Sequence, residues 1–187
     1  AEKVSVAAKV RGYASLMKLR LSMLVVVSAV AGFLYASNAF SWLEFLYLVL
    51  GGFLVTGSSN GLNQVIEREL DAKMDRTKGR PIPAGTLSVG ESVLFSSIIG
   101  VAGLAMLWQL NFLSFVLGCL ALFMYVAIYT PLKRVTPFAV FVGAFPGAIP
   151  PMLGWVAATG TFGIEPGILF MLQFMWQFPH FWAIAWV

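Results

Sequence analysis

Six apolar runs, at about 21–37, 43–62, 91–108, 112–130, 138–158 and 166–187, leave this 187-residue chain few ways to fold. Each approaches the roughly 20 largely apolar residues that a helix needs to cross the hydrocarbon of a bilayer. Backbone N–H and C=O groups cannot stay unpaired in lipid, so such runs become helices that satisfy themselves. The connections between them leave little room for a soluble domain. The sequence therefore predicts an all-α integral membrane protein, a multi-span helical bundle forming a single domain over residues 1–187. The composition agrees, with 59% hydrophobic and 11% charged residues.

The net charge of +4 could point to nucleic acid, but its distribution points to a lipid bilayer instead. Lys3, Lys9, Arg11, Lys18 and Arg20 precede the first run; Arg68, Lys73, Arg76, Lys78 and Arg80 follow the second; Lys133 and Arg134 follow the fourth. If the spans alternate, all twelve basic residues fall on one side, and the connections near 38–42, 109–111 and 159–165 carry none. The positive-inside rule then places the N-terminus and the charged loops in the cytoplasm, or the matrix of an organelle; the expected location is a bacterial inner membrane. No cleaved signal peptide is expected. The chain starts without Met and stops at FWAIAWV with no polar flank, which suggests a piece of a longer protein with further spans. Cys119, alone in an apolar run, reads as a small buried side chain.

The fifth run, FVGAFPGAIPPMLGW, combines Gly143, Gly147 and Gly154 with Pro146, Pro150 and Pro151. Small residues four apart permit close helix contact. The prolines free backbone groups that must be satisfied inside a bundle, so this helix either packs centrally or lines a cavity.

Charge is concentrated in one place. Residues 63–80, NQVIERELDAKMDRTKGR, hold nine of the chain's twenty charged side chains. Asn63, Glu67 and Asp71 are spaced by four, so on a helix they form one stripe, which Asp75 would extend by a further turn. Neighbours in that stripe lie about 6 Å apart along the axis. Two carboxylates and an amide at this spacing make no closed cage. They suit Mg2+, which keeps several waters and takes its remaining oxygens from a substrate phosphate. Arg76, Lys78 and Arg80 follow immediately and suit the rest of a phosphate's charge. The competing reading is a solvated loop whose charges pair locally, Glu69 with Lys73 for example.

The pattern N-x-x-x-E-x-x-x-D-x-x-M-x-R-T-x-x-R-P resembles the first acidic motif of the UbiA-type intramembrane prenyltransferases. Four further stretches, PIPAG at 81–85, YTPLKRVT at 129–136, GAFPGAIPPMLGW at 143–155 and WQFPHFWA at 176–183, resemble the haem-modifying branch of that family, the protohaem IX farnesyltransferases or haem O synthases. The resemblance implies a helical bundle around a cavity, Mg2+ as cofactor, and farnesyl diphosphate and haem B as substrates. Asn63, Glu67 and Asp71 match the metal-binding motif as catalytic residues. Arg76 and Arg80, with Lys78 between them, match its basic continuation, and Lys133 and Arg134 match a second basic pair near the diphosphate or a haem propionate. A haem A synthase or terminal-oxidase assembly proteins would be the partners. A second acidic motif, which the family carries after the PHF stretch, is expected beyond Val187.

His180 is the only histidine. Gln173, Gln177 and His180 share one helix face, and Pro179 is expected to kink the helix there. Buried polar residues in a membrane usually face the bundle interior, so His180 and Gln177 are candidate haem contacts, against a merely hydrogen-bonded histidine. Other acceptors remain possible on the residues alone, a quinone precursor or another aromatic among them. A cation transporter is the rival outside enzymes. It would place charge at the bilayer midplane or in broken helices rather than beside Arg and Lys at one edge.

Overall fold

A computed structural model describes the chain over residues 5–186. It is all helical: α1 Val6–Met17, α2 Leu19–Ala36, α3 Trp42–Asp71, α4 Val89–Leu110, α5 Phe112–Leu132, α6 Ala139–Thr159 and α7 Ile164–Trp186. Among the described residues, α2 to α6 are long and apolar enough to span a membrane. The 23-residue α7 coincides with the sixth expected run as far as it is described. The apolar runs therefore mark the helices, although α3 continues well past residue 62 and α5 runs through Pro131 to Leu132. The helix α1, ahead of the first run, carries no signal of that kind.

Local chemistry sets the helix ends. Ser5 caps α1 by accepting the Ala8 N–H at 3.2 Å. Ser88 and Glu91 form a reciprocal capping box at the start of α4, which satisfies two otherwise orphaned donors. Asn111 caps α5 through the Ser114 N–H at 2.8 Å and also donates to the Val156 carbonyl at 2.9 Å, tying that turn to α6. Gly160 closes α6 in the left-handed conformation, φ 67°.

In lipid the hydrophobic effect does not draw helices together, so close packing must. The helix α6 is central, buried along Ala144, Ala148, Ile149, Met152, Leu153 and Val156, and packs on α2, α5 and α7. Its approach to α2 is close enough that a Cβ on Gly154 would overlap the Ala29 carbonyl, and one on Gly32 the Pro151 carbonyl. Gly143 and Gly147, the pair expected to admit a neighbour, face the Tyr129 ring and the Gln177 carboxamide respectively. Phe33, Leu48, Val55, Leu107 and Leu117 complete the apolar core. A second apolar cluster of Ala144, Ala148 and Phe174 joins α6 to α7.

A break separates α1 from α2. Lys18 sits at φ 48° and ψ 60°, the one non-glycine residue with positive φ among those described. This left-handed conformation is costly for an L-residue and persists only where its surroundings impose it. Here α3 imposes it: Gln64 donates to the Leu16 carbonyl at 2.8 Å, and Asn60 contacts the Met17 carbonyl and the Ser22 hydroxyl.

Candidate functional site

The last two turns of α3 carry the stripe. Asn63, Glu67 and Asp71 all lie on it and all are buried. Buried carboxylates in a bundle are costly unless paired, and each of these two has a base brought from another segment. Lys133, just past α5, places Nζ 2.9 Å from Glu67 Oε1. Arg80 places Nη1 2.7 Å from Asp71 Oδ2. Asn63 Nδ2 donates to Thr130 Oγ1 at 3.0 Å. Three parts of the chain thus converge on one polar face.

The segment after α3 explains how Arg80 arrives there. The helix ends at Asp71, and a run of turns follows in place of a further helical turn. The buried Thr77 hydroxyl donates to the Asp71 carbonyl at 3.0 Å, folding the chain back over the helix end. The Arg80 N–H then donates to the Thr77 carbonyl at 2.9 Å, which directs the guanidinium toward Asp71.

This geometry corrects one expectation. Asp75 does not extend the stripe: it lies beyond the helix end, its side chain is 96% exposed, and it pairs with Lys78 at 2.7 Å. Lys78 is accordingly drawn away from the site, and Arg76 is exposed. Local pairing does occur, between Arg68 and Glu69 rather than Glu69 and Lys73. The second basic pair divides its work. Lys133 faces Glu67 and lies 5.3 Å from the centre of the Tyr129 ring. Arg134 donates instead to the Ile66 carbonyl at 2.6 Å, fastening the loop to α3.

A model of the UbiA prenyltransferase family matches residues 25–187. The chain belongs to that family. Among curated relatives, the protoheme IX farnesyltransferase of Christiangramia forsetii is 53% identical over 174 residues, which are 93% of this chain and 58% of that protein. That of Cytophaga hutchinsonii is 48% identical, covering 97% of this chain and 64% of its own length. The human mitochondrial protoheme IX farnesyltransferase is 41% identical over 92% of this chain and 39% of that protein. The chain therefore spans less than two thirds of the length of these relatives. Among solved structures, digeranylgeranylglyceryl phosphate synthase superposes with a TM-score of 0.80 at 21% identity, over 89% of this chain and 58% of that one. A UbiA homologue from Archaeoglobus fulgidus, bound to DMAPP and Mg2+, gives 0.73 at 18%, over 90% and 62%. At these identities the likeness establishes the fold.

The donor set of this UbiA-family chain fits a hard cation. It offers two carboxylates and an amide, all oxygen donors on one face, and no soft ligand beside them. Among the described residues no three of His, Cys, Asp and Glu cluster to form a closed cage. An ion held here takes its remaining oxygens from water or substrate.

Several residues of the site carry no pattern that sequence reading would have singled out. Lys18 feels the charges of Arg80, Lys133, Glu67 and Asp71, and burial, reinforced by the two bases, pushes its ammonium down to about 8. Its approach depends on a backbone conformation that no motif announces. Asn60 and Gln64 sit beside the stripe, and their polarity inside an apolar run was the available signal. His180 and Gln177 separate: Gln177 is buried and donates to the Ala144 carbonyl at 2.9 Å, while His180 is exposed. The i, i+4, i+7 spacing therefore does not keep the three polar side chains together against α6.

Proposed function

We propose that the complete protein transfers the farnesyl group of farnesyl diphosphate to a vinyl group of haem B, giving haem O. One observation carries this reading: the ion pairs Glu67–Lys133 and Asp71–Arg80 lie side by side on the Asn63 stripe, in a chain 53% identical to a protoheme IX farnesyltransferase.

The two pairs are suited to exchange. Without ligand, each acid neutralises one base at the membrane edge. Glu67 and Asp71 would hold the metal of a magnesium diphosphate, and Lys133 and Arg80, released from them, would bind its phosphate oxygens. Every acid and base would keep an oppositely charged partner in both states, so opening the site would not strand a buried ion. Bound Mg2+ supplies neutralisation of the departing diphosphate. Arg80 and Lys133 add fixed positive charge where negative charge develops as the carbon–oxygen bond breaks. The haem vinyl group would attack the allylic cation through its terminal carbon, and water would add to the cation formed beside the porphyrin ring and lose a proton to solvent, completing the hydroxyethylfarnesyl group. Lys18 lies within reach of the same field and adds to the attraction for an anion.

On this reading Asn63, Glu67 and Asp71 hold Mg2+, Arg80 and Lys133 hold the diphosphate, and Arg76 and Arg134 stand at its periphery. His180, exposed on α7, remains a candidate for haem contact, whereas Gln177 is held on the Ala144 carbonyl and would contact haem only by leaving it. The charged end of the bundle faces the cytoplasm of a bacterial inner membrane, in keeping with its basic residues.

The test uses the full-length gene product in nanodiscs with farnesyl diphosphate, haem B and Mg2+, with and without a chelator. Mass spectrometry should find farnesylated haem only without chelator. Diphosphate release with a quinone precursor, and no haem product, would replace haem as the acceptor.

A further inference from the structure

The conformation of α5 opposite the stripe is unusual. Residues Met124–Tyr129 form a π-helical segment inside the span, directly before Thr130 and Pro131. Such segments are rare and occur mostly as single turns, often at functional sites. Here the widened turn changes what Thr130 can reach. In an α-helix a threonine hydroxyl bonds a carbonyl three or four residues back. In α5 the Thr130 hydroxyl donates to the carbonyl of Tyr125, five residues back, at 2.8 Å. The same carbonyl accepts the Thr130 backbone N–H. The segment is wedged against α6, where a Cβ on Gly143 would lie 2.6 Å from the Tyr129 ring.

A hydroxyl has one proton, and Tyr125 receives it. Thr130 Oγ1 therefore has only lone pairs to offer its other neighbour, Asn63, whose Nδ2 lies 3.0 Å away. The two ends of an asparagine amide are nearly equal in size, so hydrogen bonds decide which end faces which way. The relay Asn63 N–H to Thr130 O–H to Tyr125 C=O runs in one direction. With Thr130 and Asn63 both almost wholly buried, water cannot readily substitute for either bond. With its Nδ2 committed to Thr130, the amide presents its oxygen on the side away from Oγ1.

We propose that Thr130, set by the π-helical segment of α5, is a positioning residue that fixes the Asn63 amide with its oxygen available to a divalent cation on the Glu67–Asp71 face. The proposal rests on the reading of Asn63, Glu67 and Asp71 as metal ligands. An amide ligates a hard cation through oxygen, so a flipped Asn63 would present the wrong end. Outer partners that orient metal ligands in this way typically contribute tenfold or more to affinity.

The experiment measures Mn2+ binding to the full-length gene product by EPR, with inorganic diphosphate present. Thr130→Val keeps the shape and removes the acceptor, and it should weaken Mn2+ about tenfold. Thr130→Ser restores the hydroxyl and should bind within about twofold of wild type. If the valine variant does not fold, Thr130→Ala removes the same acceptor with less bulk. In an Asn63→Asp background either oxygen can ligate, so Thr130→Val should have no further effect. Wild-type affinity in Thr130→Val would overturn the proposal, and so would an equal loss in both backgrounds, the mark of a structural role. Unchanged Mn2+ binding in Asn63→Ala and Asp71→Ala would instead overturn the underlying metal-site reading.

Discussion

The two ends of the bundle are held together by different means. Toward the uncharged connections, α2 meets α6 through Gly32 and Gly154, backbone against backbone, with Phe33, Leu48 and Val156 around them. Toward the charged end, α3 meets α1, α5 and the loop after Asp71 through directional bonds from Asn60, Asn63, Gln64, Glu67 and Asp71. The first end gains stability from contact area that admits no added atom. The second holds buried polar groups in paired, directional contacts. Shape therefore rests with the glycine end and the proposed chemistry with the charged end, and substitutions in the two should fail differently.

The largest effect is expected at the glycine contact. Gly154→Leu places a side chain where the Ala29 carbonyl already sits. Because the obstacle is backbone, the helices must part, and the cost should exceed the roughly 1–3 kcal/mol typical of overpacking. Fluorescence-detected size exclusion should show loss of the monodisperse protein. A folded, active Gly154→Leu would break the comparison by showing that the α2–α6 contact is dispensable.

Next comes Asp71→Ala. Turnover should fall by about two to three orders of magnitude, as for other losses of a transition-state electrostatic partner, while the size-exclusion profile stays that of wild type. Arg80 is left without its partner but keeps partial access to water, with 24% of its side chain exposed. Stability should therefore change much less than activity. Turnover per folded molecule, read against Tm, separates the two. An equal fall in both would mean that the charged end is as structural as the glycine end.

The contrast also shows how far the sequence was readable. Apolar runs place the helices because lipid leaves a hydrophobic segment little choice of structure. The spacing of Asn63, Glu67 and Asp71 was legible for a related reason, since residues four apart share a helix face. That logic stops where the helix stops: Asp75 keeps the spacing but not the face, because Thr77 binds the Asp71 carbonyl and turns the chain away. The bases that reach the stripe were visible as charges, but their pairing was not. Lys133 meets Glu67 through the packing of α5 on α3, a tertiary event without local signature. Thr130 was in plain view within YTPLKRVT, yet its role depends on a π-helical segment that no hydrophobic period encodes.

A smaller effect is expected from pH, and it isolates Lys18. Burial, with Arg80 and Lys133 nearby, holds its ammonium down at about 8, below the ordinary 10.5. Between those values the unfolded chain binds a proton that the folded chain has lost, so stability rises with pH across the window from about 8 to 10.5. Anion binding responds in the opposite direction. Below 8 the ammonium is charged and attracts diphosphate, and above 8 that attraction fades. Calorimetry with magnesium diphosphate should show affinity falling several-fold between pH 7.5 and 9.5, by an amount bounded at about tenfold per pH unit for a single proton. In Lys18→Met the fall should flatten. An identical slope in the variant would assign the titration to another group.

The smallest effect sharpens the boundary of the charged end itself. Asp75→Asn changes a side chain that is 96% exposed and whose partner, Lys78, is also exposed. Exposed pairs of this kind contribute little, because water screens them and two mobile side chains must be ordered to form them. If the site ends with the helix at Asp71, the substitution should leave turnover and Mg2+ dependence within about twofold of wild type. A loss comparable to that in Asp71→Ala would mean that the segment after Asp71 rewinds when substrate binds, carrying Asp75 onto the stripe after all. The exchange of partners proposed for Glu67 and Asp71 would then extend by one helical turn. Asp75 thus separates a site preformed by the ion pairs from one completed by its ligand.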